Sequence, residues 1–485
     1  MRVLPPAFTA ISVRPARPRR SELGLLVLAL TVAVLAYAQV DLVLQGSVPA
    51  STGSYALALV ALFGTAHLVL RRVAPAADPL LLPCVVVLNG LGLALIHRLD
   101  LAASQRATLA GRALPRADAP LQLIWTTIGV LVFIAVLVVL RDHTRLARYT
   151  YTSAALGLVA LLLPSVPGVG ATINGARLWI RVGPITLQPS EVAKVALMVF
   201  FAGYLVAKRD VLSLASRRVA GLDLPRARDL GPVLVAWAAS ILVLVSENDL
   251  GTSLLFFGIF IAMLYIATER TSWLLIGLGL FAGSSVLAYH LFGHVARRID
   301  TWRDPFKDAS GASYQLVQGL FGFGTGGLTG TGLGAGSPQT VPFAKTDFIM
   351  ATIGEELGLV GVMAVLVLFA LIVARGMRAA LSCRDPFGKL LAAGLSFSLA
   401  LQVFVIVGGV MGLIPLTGVT LPWLSYGGSS ILVNWLLVAV LMRVSDAARR
   451  PAPAPADPEQ LRAALSAAPT TFVPVLGSPA VKPQP

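Results

Sequence analysis

The sequence predicts an all-α polytopic membrane protein, and three observations carry that prediction. Of 485 residues, 56% are hydrophobic and only 13% charged, with a mean hydropathy of +0.81; an ordinary soluble domain carries about 25% charged residues. Apolar runs of roughly 17–20 residues recur along the chain, the length a helix needs to cross a bilayer. The net charge of +15 gathers at the ends of those runs, where it sets topology rather than forming a face for nucleic acid. Cys84 and Cys383 are the two cysteines, and they make neither a disulfide framework nor a metal or redox spacing.

Twelve spans are predicted, over about 23–42, 54–70, 80–96, 121–140, 149–166, 190–206, 230–246, 251–268, 273–292, 357–374, 390–412 and 428–443. The runs at 149–166 and 251–268 are short enough to be broken helices. Arg14, Arg17, Arg19 and Arg20 precede the first run. No small-residue cleavage site follows, so that run reads as an uncleaved span with its bases in the cytoplasm. An even span count puts both termini on that side. Arg71 and Arg72, the Arg141–Arg148 loop, Lys208–Arg228, Arg375–Lys389 and Arg443–Arg450 then all fall inside, as the positive-inside rule requires. Residues 1–22 and the Pro/Ala-rich stretch 446–485 are expected to be disordered cytoplasmic ends.

Two external connections break the charge rule. His97–Pro120 carries Arg98, Arg106, Arg112 and Arg116, read here as tolerated charges. The loop 293–346 carries Arg297, Arg298, Arg303, Lys307 and Lys345, with three aspartates, Asp300, Asp304 and Asp308, and a glycine-dense return. That concentration suits an anionic ligand. The glycine run satisfies G-x-G-x-x-G at Gly322, Gly324 and Gly327. It follows no strand and has no Walker lysine, so it does not indicate a nucleotide site.

Polar residues beside spans are informative because each costs a few kcal/mol, about, unless paired or hydrated. Pro189 suits the first turn of a helix, with Gln188 or the preceding loop as cap. Glu191 and Lys194 then share a face. They are either an interfacial helix start with snorkelling charges or a helix N-terminus aimed at an anionic headgroup. Asp249, after Glu247 and Asn248, reads as the cap of the next helix. Thr346 is expected to cap another, with Asp347 in its first turn and Glu355 on the same face, roughly 12 Å away. Glu355 and Glu356 together at that depth suggest function. The connection GLIPLTGVTLPWLSYGGSS reads as a packed turn presenting an exposed Trp423–Tyr426 pair at the interface.

Four blocks in this order resemble the SEDS family (shape, elongation, division, sporulation), which includes RodA, FtsW and SpoVE. They are GARLWIRVGPITLQPSEVAK, ENDLGTSLL, the stretch from YQLVQGLFGFGTGGLTGTGLG to KTDFIMATIGEELGLVG, and PLTGVTLPWLSYGGSS. The match spans about residues 80–445, and the short Val341–Lys345 segment resembles the RodA branch. The resemblance implies a ten-helix SEDS core over 80–445, preceded by two extra N-terminal transmembrane helices in 23–79. It implies a peptidoglycan glycosyltransferase of the bacterial cytoplasmic membrane that polymerises lipid II into β-1,4 strands at the outer face. The partner implied is a class B penicillin-binding protein. The family's essential aspartate precedes Gly-x-x-Tyr-Gln in the large loop, which places that role on Asp308, ahead of Gly311, Tyr314 and Gln315. Substrate-binding roles are implied for Arg177, Trp179, Gln188, Ser190, Glu191, Lys194, Asp249, Arg297, Arg298, Tyr314, Gln315, Lys345, Asp347, Glu355 and Ser425. Leu178 stands before Trp179 where the family has Arg, Glu247-Asn248 where it has Gln-Pro, and Lys345 where His is common.

The chemistry is coherent with those residue types. Glycan extension needs a base to take the proton of an acceptor hydroxyl as it attacks the donor's anomeric carbon. The departing lipid diphosphate needs cations, from Arg or Lys or from a divalent metal such as Mg or Mn. Two other functions share the span pattern: a flippase for a lipid-linked precursor, and a non-catalytic scaffold of a cell-wall synthase.

Overall fold

Helix-forming apolar runs dominate what the computed structural model contains, which describes residues 20–173, 176–183, 185–209, 217–219, 222–224, 235, 237–238 and 249–450. Among the described residues, eleven helical segments are long and apolar enough to cross a membrane. The span expected at 230–246 lies outside the described residues except for 235, 237 and 238, as do Glu247 and Asn248 and the ends 1–19 and 451–485.

Helices α1 (Arg20–Gln45) and α2 (Ala50–Val73) form a hairpin against α3 (Leu81–Leu109) and α4 (Ala119–Val139). Close approach of α1 to α3 depends on small residues, since a Cβ on Gly90 would lie 2.2 Å from that of Ala33. The hairpin carries buried charges that meet partners. His67 Nδ1 lies 2.8 Å from Glu22, and Asp41 bonds His97 Nε2 at 2.7 Å and Thr52 at 2.6 Å. Helix α3 runs past its expected end at residue 96 because His97, Arg98 and Asp100 are all paired. Arg98 is therefore not a tolerated loop charge. It is buried, 2.5 Å from Glu356, and bonds Gln339 and the Gly336 carbonyl.

Helix α5 (Thr150–Leu162) is one of the expected broken spans, flanked by 3-10 turns at His143–Tyr149 and Leu163–Ser165. An antiparallel sheet that the all-α expectation missed joins it to α6 (Pro189–Ala207). Its strands are β1 (Gly170–Ile173), β2 (Ala176–Val182) and β3 (Ile185–Leu187), in that order. The β-branched and aromatic content of ARLWIRV supports the central strand. Helices α7 (Leu250–Thr268) and α8 (Ser272–Leu291) follow, with α7 packed on α6 and on α12 (Pro386–Val410).

The loop 293–346 is largely structured. It contains α9 (Gly293–Arg303) and α10 (Tyr314–Gly326), and α10 packs on α11 (Ile349–Ser382). Helix α11 starts at Ile349, so Thr346 is not its cap, and it breaks at Gly358 (φ 65°, ψ −167°). The break frees backbone groups, and the glycine run supplies their partners. Thr331 and Gly332 N–H donate to the Glu355 and Glu356 carbonyls at 3.0 and 2.9 Å. Leu359 and Val360 N–H donate back to Gly327 and Leu328 at 2.9 and 3.1 Å. A Cβ on Gly330 (φ 82°) would lie 2.2 Å from the Glu356 carbonyl, so this contact needs glycine.

Helix α13 (Gly428–Arg449) closes the bundle against α4, with Trp435 beside Phe63 and Phe133. It extends beyond the expected boundary at 446. Asp446 and Ser445 accept from the Ala76 and Asp78 N–H groups at 2.8 and 3.1 Å, which keeps that last turn folded.

Candidate active site

A cavity of about 400 Å³ opens where α9, α10, α12 and the 415–420 segment meet. One wall is cationic, with Arg297 and Arg298 on α9 and the His294 imidazole one turn before them. Thr301, Gln315 and Asp347 add polar groups, while Ile406, Val410 and Val419 make the remaining wall apolar. Positive charge beside an apolar surface suits an amphiphilic anion.

Arg298 is anchored by the Leu416 and Thr417 carbonyls, each 3.3 Å from its Nη1. Burial pulls its guanidinium below its ordinary value, against the attraction of Asp249 and Asp347. Asp347 is pushed up to about 6 by burial, with Thr346 and Arg298 opposing. Burial also lowers His294, and the charges of Arg298 and Arg297 lower it further.

Asp249 caps α7 as expected, accepting from Thr252 N–H at 2.9 Å through Oδ1. Its Oδ2 is buried without a hydrogen-bond partner among the described residues. Burial raises its pKa, partly offset by Thr252 and Arg298. The α7 N-terminus abuts the 417–419 segment, where a Cβ on Gly251 would lie 2.6 Å from the Thr417 carbonyl. Behind this segment lies the buried Glu191–Lys194 pair at 2.9 Å, with Lys194 also 2.9 Å from Gln402 Oε1. Gln402 Nε2 donates to the Thr420 carbonyl at 3.0 Å. The two charges are thus neither snorkelling nor at the surface; through Gln402 they tie α6 and α12 to the Thr420 carbonyl at the end of the 415–420 segment.

Asp308 is exposed in the turn between α9 and α10. Its Oδ2 accepts from Ala312 N–H at 2.8 Å, and its carbonyl accepts from Gly311 and Ser313 at 3.1 and 3.2 Å. Ala312 and Gln315 line the cavity, so the turn that holds Asp308 adjoins it. A Cβ at Gly311 would lie 2.4 Å from Asp308 Oδ1, so a larger residue there would displace that carboxylate. Asp300 instead meets the Tyr289 hydroxyl at 3.3 Å, and Asp304 ends α9.

The structure separates other expected site residues from the cavity. Lys345 is held by Asp100 at 2.5 Å and Asp118 at 2.7 Å. Burial pulls it down, but these bonds and charges raise it overall. Glu355 does not share a face with Asp347, because Asp347 precedes the helix; Glu355 accepts from Ser337 N–H at 2.5 Å. Ser425 accepts from Leu421 N–H at 2.9 Å and donates to the Thr346 carbonyl at 2.6 Å, a turn-closing role. Within that turn Trp423 is 1% exposed, so it packs inward rather than marking the interface. Arg177 donates to the Val166 carbonyl at 3.0 Å and Trp179 pairs across from Ala171, both within the sheet. Gln188 N–H donates to Ser429 Oγ at 2.8 Å, and its side chain makes no cap. Ser190 is buried with its hydroxyl unpartnered among the described residues, and Tyr314 is exposed at the start of α10. The residues sequence reasoning missed are Gln402, His294 and Thr301. Gln402, an amide within an apolar span, carried a readable signal; the other two carried none.

This arrangement defines a helical multi-pass membrane protein with a cationic, half-apolar pocket that one carboxylate, Asp347, lines. The chain belongs to the FtsW/RodA/SpoVE family of cell cycle proteins, whose profile matches residues 79–450. It is 50% identical over 446 residues to the peptidoglycan glycosyltransferase RodA of Mycobacterium tuberculosis strain H37Rv, covering 91% of this chain and 94% of that one. The solved structure described as showing structural coordination of polymerization and crosslinking by a peptidoglycan synthase complex superposes with a TM-score of 0.60. The identity there is 25%, covering 78% of this chain and 99% of the other. The crystal structure of the Thermus thermophilus rod shape determining protein RodA superposes at 0.53 with 26% identity, covering 76% and 97%.

Proposed function

We propose that this protein is a peptidoglycan glycosyltransferase that polymerises lipid II into β-1,4 glycan strands during cell-wall growth and shape control. The observation that carries the reading is a cavity with an Arg297–Arg298 wall and an apolar α12 wall, whose lining residue Ala312 holds the exposed Asp308 carboxylate through its N–H. Asp308 takes the proton from the acceptor sugar hydroxyl as that oxygen attacks the donor's anomeric carbon. The bond to the lipid diphosphate breaks in the same displacement, with inversion. Arg297 and Arg298 stabilise the negative charge that develops on the leaving diphosphate. Lys345, already satisfied by two carboxylates, plays no part in that step. A divalent cation such as Mg²⁺ or Mn²⁺ would take a carboxylate from Asp308 or Asp347, with diphosphate and water completing its shell. It would add charge neutralisation at the leaving group.

The positive-inside pattern supports cytoplasmic termini and an outward-facing cavity in the bacterial plasma membrane. A class B penicillin-binding protein is the partner this reading requires, because the product strands must be crosslinked. The deciding experiment supplies lipid II in detergent to the protein purified with such a transpeptidase. Glycan chains should form with wild type and disappear with Asp308→Ala. Lipid II transfer across liposomes without polymer would instead favour a flippase, and polymer undiminished in the variant would remove Asp308 as the base.

A further inference from the structure

Far from the cavity, the connection between α4 and α5 meets the turn between α11 and α12. His143, Cys383 and Asp385 converge there, their ligand atoms all within 4.8 Å of one another. His143 Nε2 lies 3.2 Å from Asp385 Oδ2 and 3.9 Å from Cys383 Sγ. Nitrogen, oxygen and sulfur ligands on a tetrahedral zinc ion stand about 3.4–3.6 Å apart, given their usual bond lengths. The observed edges bracket that range before any adjustment.

Three further features fit the same ion. Gly388 leaves the space between the ligands open, since a Cβ there would lie 2.2 Å from Nε2 and 2.9 Å from Sγ. The other ring nitrogen, Nδ1, lies 3.9 Å from the Asp142 carboxylate, longer than a hydrogen bond but on the side where an outer carboxylate would orient a zinc-bound histidine. His143 and Cys383 are buried while the Asp385 side chain is 33% exposed, so a water can complete the shell from one side. A simpler account covers part of this: Asp385 caps α12 through Gly388 N–H at 2.6 Å. A cap needs neither a buried histidine nor a thiol at the same point.

We propose that His143, Cys383 and Asp385 form a binding site for a borderline-soft divalent metal, Zn²⁺ in particular, with water as fourth ligand. A thiolate and a carboxylate together balance the ion's two charges, and the mixed N, O, S set excludes Mg²⁺ and Ca²⁺. The ion staples two connections 240 residues apart in sequence, which is why no spacing motif announces it.

The test uses the full chain in detergent, stripped with chelator and titrated with Co²⁺, then Zn²⁺. Saturable binding of one Co²⁺ per chain is expected, with a thiolate-to-cobalt charge-transfer band that Zn²⁺ abolishes. Cys383→Ser and His143→Asn should each lose the band, while Cys84→Ser keeps it. Zn²⁺ should raise the melting temperature of wild type but not of Cys383→Ser. Absence of a sulfur–cobalt band in folded wild type overturns the site, and so does a band that survives Cys383→Ser or vanishes in Cys84→Ser.

Discussion

Asp308 and Asp347 are two carboxylates near one pocket whose surroundings differ, and the difference assigns their roles. Asp308 is exposed, with one carboxylate oxygen held by Ala312 N–H and the other turned to solvent-accessible space where an acceptor hydroxyl can reach it. Replacing it with alanine should lower polymerisation by about 10²–10⁴-fold, the range of a positioned general base. Asp300→Ala and Asp304→Ala, at positions that do not line the cavity, should polymerise lipid II at near wild-type rates in the same assay. Asp347 is half-buried and pushed up to about 6 from an ordinary 3.8. Its folded form holds a proton more tightly than its unfolded form, so its contribution is complete below about pH 4. That contribution is lost as pH rises through about 6. Asp347→Asn should therefore flatten the fall in melting temperature between those values, followed by scanning fluorimetry in detergent. An unchanged slope would show that Asp347 titrates normally.

At the scale of elements, the broken helix α11 and the glycine-rich return are one device. The kink at Gly358 exposes carbonyls that Thr331 and Gly332 satisfy, and Arg98 ties the return to Glu356. Gly358→Ala puts a Cβ 2.3 Å from Gly330 N at a positive φ, a conformation that costs non-glycine residues about 1–3 kcal/mol. Loss of the well-folded peak in size-exclusion chromatography, or a clear drop in melting temperature, is expected. Glu356→Ala strands the Arg98 charge in a site where it is only 1% exposed. Breaking such a pair costs about 3–5 kcal/mol, and thermal unfolding would register it. Neither device was visible in the local sequence. Arg98 looked like a stray loop charge because its partners lie more than 230 residues away.

Over the whole molecule, alternating spans put the cavity and the His143–Cys383–Asp385 cluster at connections predicted to lie on opposite sides of the membrane. In a chain carrying Cys84→Ser and Cys383→Ser, a cysteine introduced at Ser310 should react with an impermeant maleimide on intact cells. One introduced at Arg384 should react only after lysis. The reverse pattern would invert the topology and the proposed function with it.

Hydropathy, charge placement and four ordered blocks were enough, without coordinates, to indicate a helical membrane fold and the family, and to nominate Asp308 as the base to test. These are properties of local composition and of short contiguous motifs, which a linear string preserves. Tertiary structure alone decided which charges are free to act. Lys345 and Arg98 have the same sequence character as Arg297 and Arg298, yet the first two are consumed by buried carboxylates while the others face the cavity. The reason is physical: in an apolar bundle a charge must find a partner, and that partner is set by packing between distant helices rather than by neighbours in the chain.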